Sequence, residues 1–200
     1  LSNVVAEMSE LIEAGTNHRI QLSLNVDSDL PLVMGDSSQV RQIVLNLITN
    51  ASEAMGDEGG RVTLSTGRLH VGPDSVAGLR HVTELIAGDY VYLEVADNGP
   101  GLDADTQAQV FDPFFSTKLS GRGLGLAVVR GIARAHSAAI SLTSSPGDGT
   151  RFRVLFPEVD ASVLETIESS RKSNEQQYVA DSVAIPTTMN VARTVLVIDD

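Results

Sequence analysis

Cysteine is absent from the 200 residues, which excludes a disulfide framework and a thiolate metal site and fits a reducing cytoplasm. No uninterrupted apolar run reaches the roughly 20 residues that a membrane-spanning helix needs, and no basic-then-apolar leader opens the chain. The expectation is a soluble protein without membrane contact. Basic residues are few: 14 Lys and Arg stand against 26 Asp and Glu, a formal net charge of −12. That balance argues against nucleic-acid binding through a general basic surface. What is present is enough apolar material, 42% of residues, for one main domain with a sizeable core.

Periodicity organises the chain. Leu1, Val4, Val5, Met8, Leu11 and Ile12 fall at helical spacing, which reads as the end of a helix begun elsewhere. Residues 20–26 alternate as a half-buried strand, and Asp36 is placed to cap a helix from about Ser37 to Met55. On that helix Val40, Ile43, Val44, Leu47, Ile48, Ala51 and Met55 form the apolar stripe. Gln39, Gln42, Asn46, Asn50 and Glu53 fall on the other face. Strands are predicted over 61–70, 90–96, 140–143 and 151–156, a helix over 123–135, and an irregular flap over 102–121. The segment 71–89 reads as a partly helical insert. Helices alternating with mostly adjacent strands indicate an α/β two-layer sandwich, one mixed sheet covered on one face by helices. From Glu158 to Ala192 the composition turns polar, as a linker does. Thr194 to Asp200 then starts an apolar strand ending in two carboxylates.

Four stretches carry chemistry. Asn46 and Asn50 sit one helical turn apart, although Asn is a mediocre helix former that prefers caps and turns. As plain surface residues they need no function. As a pair, their amide oxygens suit Mg²⁺ that keeps phosphate and water as its other ligands, and neither can serve as a general base. Asp97-Asn-Gly-Pro-Gly101 is either a simple β-turn or an Asp aimed at the exocyclic amine of adenine, with Gly99 and Gly101 letting the backbone pass close to base or ribose. Gly121-Arg-Gly-Leu-Gly125 lacks the Lys and Ser/Thr of a P-loop and does not follow a strand. It is either a glycine hinge or a loop presenting N–H groups of Gly121, Gly123, Leu124 and Gly125 at a helix start to phosphates. Within Phe111-Asp-Pro-Phe-Phe-Ser-Thr-Lys118 the aromatics can staple the flap to the core, while Lys118, and more weakly Arg122, can reach a γ-phosphate. Thr150, after Gly147-Asp-Gly149, adds a hydroxyl beside the adenine position. His136 reads as a packed or capping residue.

Taken in order, Asn46-Leu-Ile-Thr-Asn-Ala51, Asp97-Asn-Gly-Pro-Gly101, Phe111-Asp-Pro-Phe-Phe115, Gly121-Arg-Gly-Leu-Gly-Leu126 and Gly147-Asp-Gly-Thr150 resemble the N, G1, F, G2 and G3 boxes of the ATP-binding catalytic domain of bacterial sensor histidine kinases, within the superfamily shared with gyrase and the heat-shock chaperone ATPases. The resemblance implies a Bergerat-type fold, Asn50 on Mg²⁺ with Asn46 near it, Asp97 on adenine and the glycines around the phosphates of ATP. Asn46 stands where the ATPase relatives carry a catalytic Glu, which favours phosphotransfer over hydrolysis.

It further implies a division into residues 1–17 (end of the dimerisation and phosphoacceptor segment, with linker), 18–157 (catalytic domain), 158–193 (linker) and 194–200. The last resembles the first strand of a response-regulator receiver domain, as in a hybrid kinase. His18, His70, His81 and His136 all lie outside the phosphoacceptor context, so the acceptor histidine is expected on another segment. The chain itself is expected to be a cytoplasmic monomer, from a homodimeric and conceivably membrane-anchored parent. The rivals are an ATPase or serine kinase of the same superfamily and a non-catalytic module whose nucleotide controls partner docking.

Overall fold

The apolar stripe of the Ser37–Met55 helix has only one way to leave water, and the sheet is built to receive it. A computed structural model describes residues 1–15, 19–73, 85–117 and 123–159. In chain order the elements are α1 (Ser2–Gly15), β1 (Ile20–Asn25), α2 (Ser37–Met55), β2 (Gly60–Val71), β3 (Gly88–Asp97), α3 (Ala104–Gln109), α4 (Gly125–Ala135), β4 (Ala139–Ser144) and β5 (Thr150–Pro157). The sheet order is β1-β2-β3-β5-β4. β1 and β2 are parallel, because α2 carries the chain back between them, and the other pairs are antiparallel.

Among the described residues, helices cover one face of the sheet. The predicted stripe of α2 is buried as read, against Val62 and Leu64 of β2, Leu93 and Val95 of β3, and Val154 and Phe156 of β5. Val129 and Ala133 of α4 close the same core. The architecture is the expected two-layer sandwich.

Two local expectations change. The flap region holds α3, whose start is capped by Asp103 accepting from the Thr106 amide at 2.7 Å. The glycine-rich helix begins two residues later than predicted, at Gly125, because Gly123 has φ +63° and Leu124 is the cap. Leu1, together with Val4, Val5 and Met8 of α1, belongs to the same core as α2. Glu7 also pairs with Arg41 of α2 at 2.6 Å. At the other end Val33 bridges Glu158, and the Val159 amide donates to the Leu32 carbonyl at 2.9 Å. The rest of the expected linker, the 194–200 strand and most of the 71–89 insert lie outside the described residues.

Two contacts set the angle of α2. Its cap Asp36 accepts from the Ser38 amide at 2.8 Å and from the Ser38 hydroxyl at 2.6 Å. The Asp36 amide in turn donates to His136 Nε2 at 3.0 Å, while His136 Nδ1 faces the Ile132 carbonyl at 2.8 Å. A carbonyl only accepts, so the proton sits on Nδ1 and Nε2 is the acceptor. His136, packed edge-on against Phe156, is the capping residue the sequence suggests, and it ties the end of α4 to the start of α2.

Replacing Met8 by alanine is expected to lower stability by roughly 2–5 kcal/mol, the cost of emptying a fully packed site, and Glu7→Ala by at most about 1 kcal/mol; urea titration of the two variants measures both. The Ser38 hydroxyl and amide hold the Asp36 carboxyl below its ordinary value of 3.8. Its stabilisation is therefore complete above that value and is lost as pH falls through the lower, folded value. The stability gap between the parent and Asp36→Ala should hold constant from about pH 7 to about pH 5 and shrink on further acidification.

Candidate functional site

β3 and β5 run antiparallel and leave the sheet at the same end, with Asp97 opposite Thr150. Their exit turns are thereby forced together, and glycine is required where they touch. Gly101 (φ +71°) would place a Cβ on the Ser145 carbonyl, and Gly149 (φ +80°) would place one on the Asp97 carbonyl. The Gly147 amide donates to the Pro100 carbonyl at 2.7 Å. Between these turns Asp97 Oδ1 accepts from the Gly99 amide at 2.9 Å and the Thr150 amide at 3.2 Å, so its carboxylate is held in place by backbone. Ser144 and Gln107 complete the frame. The Ser144 hydroxyl donates to Gly149 and accepts from the Leu102 amide, each at 2.8 Å, and Gln107 Nε2 donates to the Leu102 carbonyl at 2.8 Å. No motif marks either residue in the sequence.

The turns form one end of a cavity of about 290 Å³, near the lower bound for small-molecule sites. Its opposite wall is α2, and Asn50 and Glu53 reach it. Above them lies the start of α4: a Cβ on Gly125 would stand 3.4 Å from Asn46 Oδ1 and 3.6 Å from Asn50 Nδ2. The first N–H groups of a helix have no partner within it, so the amide pair and the helix N-terminus face one volume. Asn46 itself is absent from the cavity lining, with its Nδ2 buried and without a hydrogen-bond partner among the described residues.

Of the residues read from sequence, Asn50, Asp97, Gly101, Gly123, Gly125 and Thr150 line the cavity. Asn46 and Gly99 support it from behind, and Leu124 is the exposed cap of α4. Lys118, Gly121 and Arg122 lie outside the described residues. The flap aromatics divide their work. Phe111 is buried, edge-on against Phe152 with ring centres 5.9 Å apart, Phe115 lines the cavity, and Phe114 is 77% exposed. The Phe114 amide donates to the Gly123 carbonyl at 2.9 Å and its φ is +69°, which anchors the flap to the glycine loop. Sequence reading also passed over Glu53 as a site residue, although its place one turn after Asn50 was the available signal. Among the described residues no group of three or more His, Cys, Asp or Glu could hold a metal ion. A divalent cation here would thus take most of its ligands from phosphate and water, for which an Asn oxygen is a fitting partner.

A family model described as histidine kinase-, DNA gyrase B-, and HSP90-like ATPase matches residues 35–160. The sensor kinase CckA of Brucella abortus is 34% identical across the whole of this chain and 20% of its own length. The sensory histidine kinase/phosphatase NtrB of Rhizobium meliloti is 39% identical over 77% of this chain and 39% of its own. The chain thus spans a fifth to two fifths of these relatives. Among solved structures, full-length ShkA in complex with AMPPNP superposes with a TM-score of 0.61 at 29% identity, covering 80% of this chain and 31% of that one. The catalytic domain of the histidine kinase ThkA gives 0.55 at 25% identity, covering 78% and 88%.

Gly149→Ala is expected to destabilise by about 1–3 kcal/mol through strain and collision with the β3 backbone. Gly131→Ala, where a Cβ meets nothing within 4 Å, should be neutral or stabilise by up to about 1 kcal/mol. Thermal melts of the two variants measure the contrast.

Proposed function

The chain belongs to the family of histidine kinase-, DNA gyrase B-, and HSP90-like ATPases, and from that premise we propose that it binds Mg-ATP in the cavity between α2, α4 and the β3–β5 turns and presents the γ-phosphate to a histidine on another segment. The single observation that carries the proposal is the convergence on one cavity of Asp97, Asn50 and the Gly123–Gly125 loop. These residues lie far apart in the chain and have the chemistry that adenine, cation and phosphates require.

Asp97 accepts a hydrogen bond from the exocyclic amine of adenine. Guanine offers an oxygen there, so the carboxylate selects against it. Gly123 and Gly125, with the N-terminus of α4, direct backbone N–H groups at the phosphates. Asn50, backed by Asn46, holds the Mg²⁺, whose charge supports the phosphoryl group in flight. Neither amide can deprotonate water, so these residues position rather than hydrolyse, and positioning with charge stabilisation is the larger part of phosphoryl transfer. Exposed Phe114, Leu124 and Val128 on the flap and α4 offer apolar contact to the incoming phosphoacceptor segment. The parent is then a dimeric two-component kinase serving a response-regulator receiver domain, with this domain in the cytoplasm where ATP is supplied.

One observation favours a second reading. Glu53 lines the cavity and is a carboxylate able to activate water, as hydrolysis by a related ATPase needs.

Calorimetric titration should give binding selective for Mg-ATP over Mg-GTP, and Asp97→Asn should weaken it about 10- to 100-fold, the worth of one charged hydrogen bond. Equal affinity for both nucleotides, or none in a folded protein, would sink the reading. With a dimerisation segment and γ-labelled ATP, label on a histidine supports the kinase. Tight binding without label leaves a nucleotide-controlled docking module, and steady phosphate release abolished by Glu53→Gln leaves an ATPase.

A further inference from the structure

The sheet face turned away from the helices holds a second cavity, of about 390 Å³, lined by none of Asn50, Gly123 and Gly125. Strand register sets its wall. Ser141 on β4 lies opposite Arg153 on β5, Thr143 lies opposite Arg151, and Glu94 on β3 flanks Arg153 from the other side. Directly opposed residues on one sheet face have Cβ atoms about 5 Å apart, so two hydroxyls and two guanidinium groups border one small volume.

The charges are unevenly satisfied. Glu94, 7% exposed, accepts from Arg153 Nε at 2.7 Å through Oε2, while its Oε1 is 3.5 Å from Arg151 Nη1. Arg153 is held further by the Tyr92 ring, 4.6 Å from its guanidinium carbon. Glu94 thus contacts both guanidiniums but balances only one of their two charges, and the Arg151 side chain stays 53% exposed with donors to spare. Ser141 is 7% exposed and lines the cavity beside both guanidiniums. The far end has the opposite character, with Asp148 and Ser145 of the turn after β4. Donors stand at one end and a carboxylate at the other.

We propose that this cavity is a second ligand site, for a small sugar phosphate. Arg151, Arg153, Ser141 and Thr143 take the phosphate group, with bidentate guanidinium geometry, and Asp148 accepts from the sugar hydroxyls. Asp97 and Thr150 line both this cavity and the one between α2 and α4, so the two ligands would share a wall.

The test is ¹H–¹⁵N NMR titration of the full chain with ribose 5-phosphate and, separately, with inorganic phosphate. Saturable shifts at Ser141, Thr143 and Arg151 are expected, stronger with the sugar phosphate. Binding should weaken roughly tenfold or more in Arg151→Gln and severalfold in Ser141→Ala, whose fold the same spectra report. Equal affinity for the two ligands would assign the site to free phosphate instead. No saturable shift at these residues with either ligand, or shifts unchanged in Arg151→Gln, would overturn the proposal. The reporters stand on the open face, away from Asn50 and Gly125, so the outcome is read whether or not the chain binds ATP.

Discussion

The rotation of α2 about its own axis decides where everything else in the molecule can be. Seven buried side chains along that helix face the sheet, and rolling the helix by one position would bring polar groups into a dry core at a cost of several kcal/mol. With the stripe fixed, Asn46 and Asn50 have one available direction, toward the start of α4. There α4 starts at Gly125, where a Cβ would stand 3.4 Å from Asn46 Oδ1, and the Asp36–His136 hydrogen bond holds the far ends of the two helices together.

The second fixed point is the shared end of β3 and β5. Antiparallel pairing brings residues 98–101 and 145–149 side by side, and their glycines let the two turns interlock around the Asp97 carboxylate. The Thr150 amide, which belongs to the sheet, is also part of the Asp97 clamp. A site made from sheet backbone is rigid, and the described residues of the flap join it through buried Phe111, packed on Phe152, and the Phe114–Gly123 hydrogen bond.

Much of this was legible in the chain. The stripe of α2, the alternation of β1, and the paired amides obey periods of 3.6 and 2 that side-chain geometry imposes on any sequence. α3 was not legible, since six mostly polar residues after Asp103 lack an apolar stripe. α1 shows a helical period, yet that period does not say which core the helix joins; the burial of Val5 and Met8 beneath α2 does. Arg151 and Arg153, alternating with Phe152 and Val154, read as the solvated side of a strand. Only pairing with β3 and β4 places them around Glu94 and beside Ser141.

Local order in this protein is therefore a property of its sequence: which segments are helix or strand, which faces are apolar, and which residues have the chemistry for adenine, cation and phosphate. Those depend on neighbours a few positions apart and on side-chain type. The tertiary structure alone decided that Asn50, Asp97 and Gly125 share one cavity, that Glu53 joins them while Asn46 stands behind, and that a second cavity opens on the far face of the same Asp97–Thr150 pair. Those facts depend on strand order and register, set by the burial of whole faces at once, which no short window of sequence contains.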